Sequence, residues 1–416
     1  MAIDVKMAWR NIWRNPRRTL LTVLAIAFAC VLLVFMLSFQ FGSYDTMINS
    51  SVKISTGHLQ IQAEGYQQKK EIRWVIDNPA AVGRVLDRIP QIRAYTRRAQ
   101  AFALVSSAQR AYGVIVIGVD PEQEARVSTL ARIIQRGQYL TDGRDPQGMA
   151  GALVGRLLAR NLHVDVGDEI TILGQGRDGS VAASVLKVQG IYASGLDDFD
   201  RSTIHMPLPA FQELFSMGKA VHEMVVIAQN LASVPAIKAA VQPELDTMAN
   251  DRPLRALDWE ALMPGLRQAI SMDLVSGSIF YLILIMVVAF SILNTFLMAI
   301  FERTHEFGVM MAMGTKPARI ARLVLTESAG MTLVGVGTGI AMGCLLTWYF
   351  MVHGIDLGGS SEIMRQFGVP SRLYPQLTLL SALAGPGAVL VITLLAALYP
   401  ALRIRRLRPV EALRHA

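Results

Sequence analysis

Four stretches of the chain carry no Asp, Glu, Lys or Arg for long enough to cross a bilayer core, which takes about 20 residues at the helical rise. They are residues 19–44, 274–301, 328–354 and 373–402. Between the first two lies a segment of another kind, residues 45–273, polar and broken into short alternating runs. The pattern predicts an α-helical membrane protein with four transmembrane helices and a large α+β extracytoplasmic domain between helices one and two.

Within the insert, residues 58–62 alternate as a half-buried strand does, and residues 114–119 form a buried-strand run. Residues 152–162 have the apolar spacing of a helix, residues 166–169 turn, and residues 170–173 make a strand. Residues 235–248 read as a helix with Ser233 as its cap, and Pro264 and Gly265 interrupt the rod leading into span two. No repeat recurs at a fixed period.

Short flanks orient the spans, because long loops translocate largely regardless of charge. Lys6, Arg10, Arg14, Arg17 and Arg18 precede span one, and Arg403, Arg405, Arg406, Arg408 and Arg414 follow span four. Arg303, Lys316, Arg319 and Arg322 lie between spans two and three. Residues 1–18 are therefore expected as a cytoplasmic amphipathic segment, 302–327 as a cytoplasmic loop and 403–416 as a cytoplasmic tail. The insert and the short loop 355–372 fall on the opposite, periplasmic face.

Composition agrees with this division. The 416 residues are 52% hydrophobic and only 17% charged, against about 25% charged in soluble domains. The formal charge of +8 gathers beside apolar runs, as membrane flanks do, so nucleic acid is not an expected partner. Cys30 and Cys344 both sit inside apolar runs, which leaves no disulfide framework and no zinc site. The N-terminal apolar run is too long for a signal peptide and lacks a small-x-small cleavage site, so it reads as a retained anchor.

Enzyme chemistry finds no foothold. The Gly-Lys pair Gly218-Lys219 lacks the earlier glycine and the Ser or Thr of a phosphate-binding loop. Gly335, Gly337, Gly339 and Gly343 lie inside a span, where small residues let helix backbones approach, so they read as helix-packing positions. The histidines form no zinc-protease motif and no Gly-x-Ser-x-Gly occurs. Asp197, Asp198 and Asp200 read as a solvated acidic turn, with a cation site as the alternative. The chain is thus expected to be no enzyme and to hold no metal.

The informative segment is residues 302–315. Phe307, Met310 and Met311 fall on one stripe at i, i+3 and i+4, with Glu302, Arg303 and Glu306 at the start. Such a short helix at a membrane face either lies on lipid or fills a partner's groove, for which flexible methionines are well suited. Gly314 can end it and Pro317 can start the next helix.

At these residues the chain resembles the FtsX-like permease superfamily of ABC transporters, in which a coupling helix of pattern Glu-Arg-x-x-Glu-x-Gly links spans two and three. Glu302, Arg303, Glu306 and Gly308 match it, with Ala312 and Gly314 after them and Glu327 entering span three. The tail Pro400, Ala401, Pro409, Ala412, Leu413 and Arg414 is similar to the family's as well. Residues 8–19, 56–60 and 154–159 look most like lipoprotein-releasing (LolCE-type) permeases, and the insert corresponds to a MacB-like periplasmic core domain. One departure is the Gly-rich turn at residues 174–180, where the carrier-recruiting subunit of that group has a long hook.

The resemblance implies a mechanotransmission permease that extracts or translocates lipoproteins or other lipidic cargo from the inner membrane. A separate cytoplasmic ABC ATPase, which binds the ATP and magnesium, would grip the coupling residues Glu302, Arg303, Glu306, Phe307, Gly308, Met310, Met311 and Gly314. A second permease copy, identical or similar, completes the assembly, with a periplasmic carrier or adaptor as a further partner. Phe35, Phe39, Phe41, Phe280 and Tyr281, at the outer ends of spans one and two, would line a cargo cavity open to membrane lipids; an interfacial aromatic belt is the other reading. The alternatives within the superfamily are a MacB-like efflux permease with an adaptor and an FtsX-like regulator of a periplasmic enzyme.

Overall fold

The computed structural model describes residues 2–356 and 372–404. The loop residues 357–371 and the tail motif residues Pro409, Ala412, Leu413 and Arg414 lie outside the described residues.

The chain opens with α1 (Ala2–Ile12) and α2 (Pro16–Ser51), the latter continuing into a π-helical stretch, Val52–Thr56. The insert supplies β1 (Leu59–Ala63), α3 (Pro79–Leu86), β2 (Ile92–Ser106), β3 (Ala111–Val119) and α4 (Pro121–Val127). It continues with β4 (Ile134–Gly137), β5 (Ala150–Gly155), β6 (Glu169–Gln175), β7 (Val181–Tyr192) and β8 (Thr203–Pro207). It ends with β9 (Glu223–Ala228), α5 (Val234–Asp246) and β10 (Leu254–Asp258). Four helices follow: α6 (Pro264–Glu302), α7 (Thr304–Ala312), α8 (Pro317–His353) and α9 (Leu379–Ile404). Helices α2, α6, α8 and α9 are long and apolar enough to cross a membrane.

Two compact units result: a helical one of residues 1–44, 269–356 and 372 onward, and an α/β one of residues 45–268. In the helical unit the elements outrun the uncharged stretches. Pro264 starts α6 instead of interrupting it, because a proline in a first turn has no intrahelical N–H to lose. Asp273, expected as the last residue of the insert, therefore lies inside this helix. The fourth span starts late. Arg372–Leu373 pairs with Ile355–Asp356 as a two-stranded ribbon, Pro375 cannot continue a helix N-terminally, and Thr378 and Ser381 cap α9 reciprocally.

Glycines decide how close the spans come. A Cβ on Gly335 would stand 2.8 Å from Ile26, on Gly339 2.5 Å from the Cys30 Cβ, and on Gly343 3.0 Å from Val34. These three glycines, four apart, form one groove on α8 that seats α2. Gly385 of α9 receives Leu33 in the same way. Gly337 was expected in the packing set; it has nothing within 4 Å of where its Cβ would be, since it lies between the packed positions on another helix face.

The α/β unit is one sheet in the order β10-β1-β9-β2-β3-β8-β5-β7-β4, with β6 paired to both β2 and β7. The pairs β3–β8 and β5–β7 are parallel and the rest antiparallel. One sheet face buries an apolar core that includes Leu59, Ile61, Val226, Ile237 and Val241, under α3 and α5. Of residues 152–162, expected as a helix, Arg156–Leu162 is helical, whereas 152–155 belong to strand β5, which lies between β7 and β8 and is buried over nearly its whole length. An apolar run buried on both faces has lost the alternation that marks a strand. Helix α5 has no side-chain cap from Ser233; Asn230 instead accepts from the Ser233 N–H and caps the 3-10 turn before it.

The opposite face of strands β1, β9 and β2 is also buried, and it is polar. Gln60 and Gln62 were expected to face solvent, yet they are 3% and 1% exposed. Register places Gln62 opposite Glu223 and Glu223 opposite Arg98. Helix α4 packs on the β2 and β9 part of this face, and Arg98 grips Glu124 with two bonds, Nε to Oε2 at 2.9 Å and Nη2 to Oε1 at 2.6 Å. Burial alone would raise the Glu124 pKa; the guanidinium charge and its hydrogen bonds hold it below the usual carboxylate range.

Candidate functional site

The residues between α6 and α8 make the site with the most chemistry. Glu302 ends α6, Arg303 precedes α7, and α7 stops in a Schellman closure. The Thr315 N–H donates to the Met310 carbonyl and the Gly314 N–H to that of Met311, with Gly314 at φ +91°. Only a residue without a Cβ takes that angle cheaply, so Gly314 fixes where α7 ends and α8 turns back.

Around α7 the charged groups form a closed lattice. Arg303, whose side chain is 13% exposed, donates from Nη1 to Glu327 Oε2 at 3.0 Å and from Nε to Glu306 Oε2 at 3.3 Å. Its guanidinium sits 5.4 Å from the Phe307 ring centroid. Arg14, in the turn between α1 and α2, donates to both oxygens of Glu306. Arg18, in the first turn of α2, donates to Glu302 Oε2 at 2.9 Å. The hydrogen bond from Arg14, with Arg303 behind it, holds the Glu306 carboxyl below its ordinary pKa. Three guanidinium groups thus balance three carboxylates, and the ends of α2, α6, α7 and α8 are joined through them.

In the sequence Arg14 and Arg18 stand out only as basic residues flanking span one. Their spacing of four matches that of Glu302 and Glu306, and this was the available signal. Two antiparallel segments that pair first with last need such matched intervals.

The apolar stripe is turned the other way from expectation. Phe307 is 1% exposed and Met311 8%, and both pack with Ile300, Ile320 and Val324; Met310 lies against this cluster. Gly308 is buried as well. These four residues are pegs that hold α7 to its own bundle, and they are not free to fill a partner's groove. The outward face is formed by His305, Val309, Ala312 and Met313, the last 73% exposed.

At the opposite ends of α2 and α6 the expected aromatic set divides. Phe35 stacks on Phe39 with centroids 6.3 Å apart and meets Phe350 of α8 at 5.6 Å. Phe41 is half-buried and Phe280 is 72% exposed. Tyr281 belongs to a polar clasp that the sequence did not suggest. Its hydroxyl donates to Gln40 Oε1 at 2.8 Å, the Gln40 Nε2 donates to Asp273 Oδ2 at 3.2 Å, and the Tyr44 hydroxyl donates to the same oxygen at 2.5 Å.

In the α/β unit, Asp200 leaves the acidic cluster. Its Oδ1 accepts from the Ser194 N–H at 2.9 Å and hydroxyl at 2.6 Å, and burial raises its pKa, while Asp197 and Asp198 stay exposed. No group of three metal-ligating side chains occurs among the described residues. The turn at residues 174–180 is anchored: Arg177 pairs with Asp77 at 3.0 Å and its N–H donates to the Phe215 carbonyl.

The comparisons agree with this two-part construction. Residues 19–244 match the MacB-like periplasmic core domain and residues 278–409 the FtsX-like permease C-terminal region. The lipoprotein-releasing system transmembrane protein LolC of Xylella fastidiosa (strain Temecula1) is 22% identical over 416 residues, covering 95% of this chain and 93% of that protein. The corresponding LolE of Haemophilus influenzae is 25% identical over 360 residues, 79% of each chain. The pyoverdine export ATP-binding/permease protein PvdT of Pseudomonas entomophila is 25% identical over 425 residues, which cover 98% of this chain and 59% of that longer protein. With the spans, the insert and the linking helix in their order, the chain belongs to the FtsX-like permeases that carry a MacB-like periplasmic core domain, an ABC-type permease family of the bacterial inner membrane.

Proposed function

We propose that this permease moves lipoproteins or closely similar lipidic cargo out of the inner membrane, driven by a separate ATPase that docks on the outward face of α7. The observation that carries the reading is the two-faced character of that helix. One side is tied to every neighbouring span through the Arg303 lattice and the Phe307–Met311 pegs. The other side, His305, Val309, Ala312 and Met313, is free. A push on the free side is conveyed to the bundle because the tied side cannot slip.

Both termini and α7 lie in the cytoplasm on this reading, ATP and magnesium stay with the partner, and a second permease copy faces this one. Cargo enters between α2 and α6, past the Gln40–Tyr44–Asp273–Tyr281 clasp, with Phe35 and Phe39 along the path. Similarity to LolC and LolE over most of the chain supports lipoprotein as the cargo. The anchored turn at residues 174–180 argues against this copy being the one that hands cargo to a soluble carrier.

Depletion of the protein is expected to leave mature lipoproteins in the inner membrane, read by membrane fractionation; normal sorting would refute the cargo. That result would favour efflux through an adaptor, the reading supported by the similarity to PvdT along 98% of the chain. A cysteine at position 180 should react with an impermeant thiol reagent from the outer side only, and labelling from the cytoplasm would overturn the orientation.

A further inference from the structure

Where α2 begins and α6 ends, a cavity of about 820 Å³ opens between the two helices, within the size range of a small-molecule site. Arg17 and Leu21 line it from α2, one turn apart, and Asn294, Met298 and Glu302 line it from α6 at intervals of four, so each helix turns one stripe to it. All of these residues belong to the helical unit.

The charge at the mouth does not cancel. Arg18 donates to Glu302 at 2.9 Å, which matches that carboxylate. Arg17 is exposed beside it and makes no ion pair or hydrogen bond among the described residues, and the side chain of Asn15 makes none either. The free capacity of the mouth is therefore one guanidinium and an amide. Farther in the walls are apolar, with Leu21 69% and Met298 58% exposed. Beyond them stands Asn294, whose exposed amide lies inside the uncharged stretch of α6 and has no hydrogen-bond partner among the described residues. Eight residues separate it from Glu302, about 12 Å along the helix axis. Hydrocarbon cannot satisfy an amide, so this side chain calls for a polar group at depth.

A ligand that fits carries an anion at one end, an acceptor farther along and hydrocarbon beside both. We propose that this cavity binds an anionic phospholipid, whose phosphate pairs with Arg17 and Asn15, whose ester carbonyl accepts from Asn294 and whose chains lie along Leu21 and Met298. A free phosphate reaches only the mouth, and a zwitterionic headgroup brings a second cation to Arg17. The lipid bridges α2 and α6 beside the Arg18–Glu302 pair. The site stands apart from the cargo reading, because it lies at the other end of these two helices from the Gln40–Tyr44–Asp273–Tyr281 clasp and serves whichever cargo moves.

The test titrates the full chain in detergent micelles with dioleoylphosphatidylglycerol, and native mass spectrometry counts the lipids retained. Saturable binding is expected, about tenfold or more tighter than that of dioleoylphosphatidylcholine, the scale of a charge-assisted contact. Inorganic phosphate should not displace the lipid. Arg17→Gln should weaken binding about tenfold or more, and Asn294→Leu severalfold. Both positions are exposed, so the fold is kept, with circular dichroism as the check. Arg10→Gln, on the same basic flank but outside the cavity, should leave binding unchanged. Saturating lipid should raise the melting temperature of the unaltered chain and not that of Arg17→Gln. Equal binding of the two lipids, undiminished binding by Arg17→Gln, an equal loss with Arg10→Gln, displacement by phosphate, or a dimer that retains no lipid would each overturn the proposal.

Discussion

In the helical unit six charged side chains gather at one end, where Arg14, Arg18 and Arg303 meet Glu302, Glu306 and Glu327, and the interior is closed by glycines against apolar side chains. In the α/β unit some of the charge lies inside, with Arg98 paired to Glu124 and Glu223 buried under the exposed end of Lys70. The difference follows from the solvent each unit meets. Lipid offers no hydrogen bonds, so a span keeps polar groups at its ends and gains stability from close backbone contact. A water-exposed sheet has an apolar core to spare and can bury a polar face, provided each charge is matched.

The largest effect is expected from breaking the buried pair. Glu124→Ala leaves the Arg98 guanidinium uncompensated and should cost about 3–5 kcal/mol, enough to unfold the α/β unit. Limited proteolysis and thermal melting of the full chain would read this. Arg98→Met with Glu124→Leu should recover much of the loss.

Next come the glycines. Gly339→Ala sets a methyl 2.5 Å from the Cys30 Cβ and should lower the melting temperature in detergent, at about 1–3 kcal/mol for overpacking. Gly337→Ala meets nothing and should be neutral or slightly stabilising, since alanine is the better helix former. Equal effects at the two positions would refute the assignment of the α8 groove.

The smallest effect is a pH dependence confined to the α/β unit. His58 Nδ1 accepts from the Ala228 N–H at 3.0 Å and its Nε2 faces Asn49 Oδ1 at 3.0 Å. His222 Nδ1 accepts from the Gln100 N–H at 2.9 Å and its Nε2 faces the Ile72 carbonyl. Burial pushes both imidazoles down to about 4. The unfolded chain takes these protons near pH 6.5 and the folded one does not, so the stabilisation is full above that pH and is lost as pH falls towards 4. Melting of the α/β unit should drop across that window while the helical unit changes less. His222→Gln should flatten the curve; an unchanged slope would refute the buried neutral ring.

The spans were legible because an absence of charge over some 20 residues has few other meanings. Their ends were less so, since hydropathy reports contact with lipid and not the extent of the helix. The α6 helix therefore begins at Pro264 and α9 at Leu379, ten and six residues from where the uncharged stretches begin. In the insert, alternation reads as half-exposure for Gln60 and Gln62, because a sequence cannot say that the second face of the sheet is covered as well. The motif around Glu302 was recognisable, yet which side of α7 it presents depends on Ile320 and Val324, residues of the next helix.

The claim on which the account turns is that α7 conveys the ATPase stroke because its inner side is fastened. Reconstitution of the permease with its ATPase in proteoliposomes, with ATP hydrolysis and cargo release followed together, tests it most directly. Glu306→Ala, which frees Arg14 and weakens the hold of Arg303, should leave the complex assembled and hydrolysing ATP while release falls about tenfold or more. Release that keeps pace with hydrolysis in that variant would contradict it.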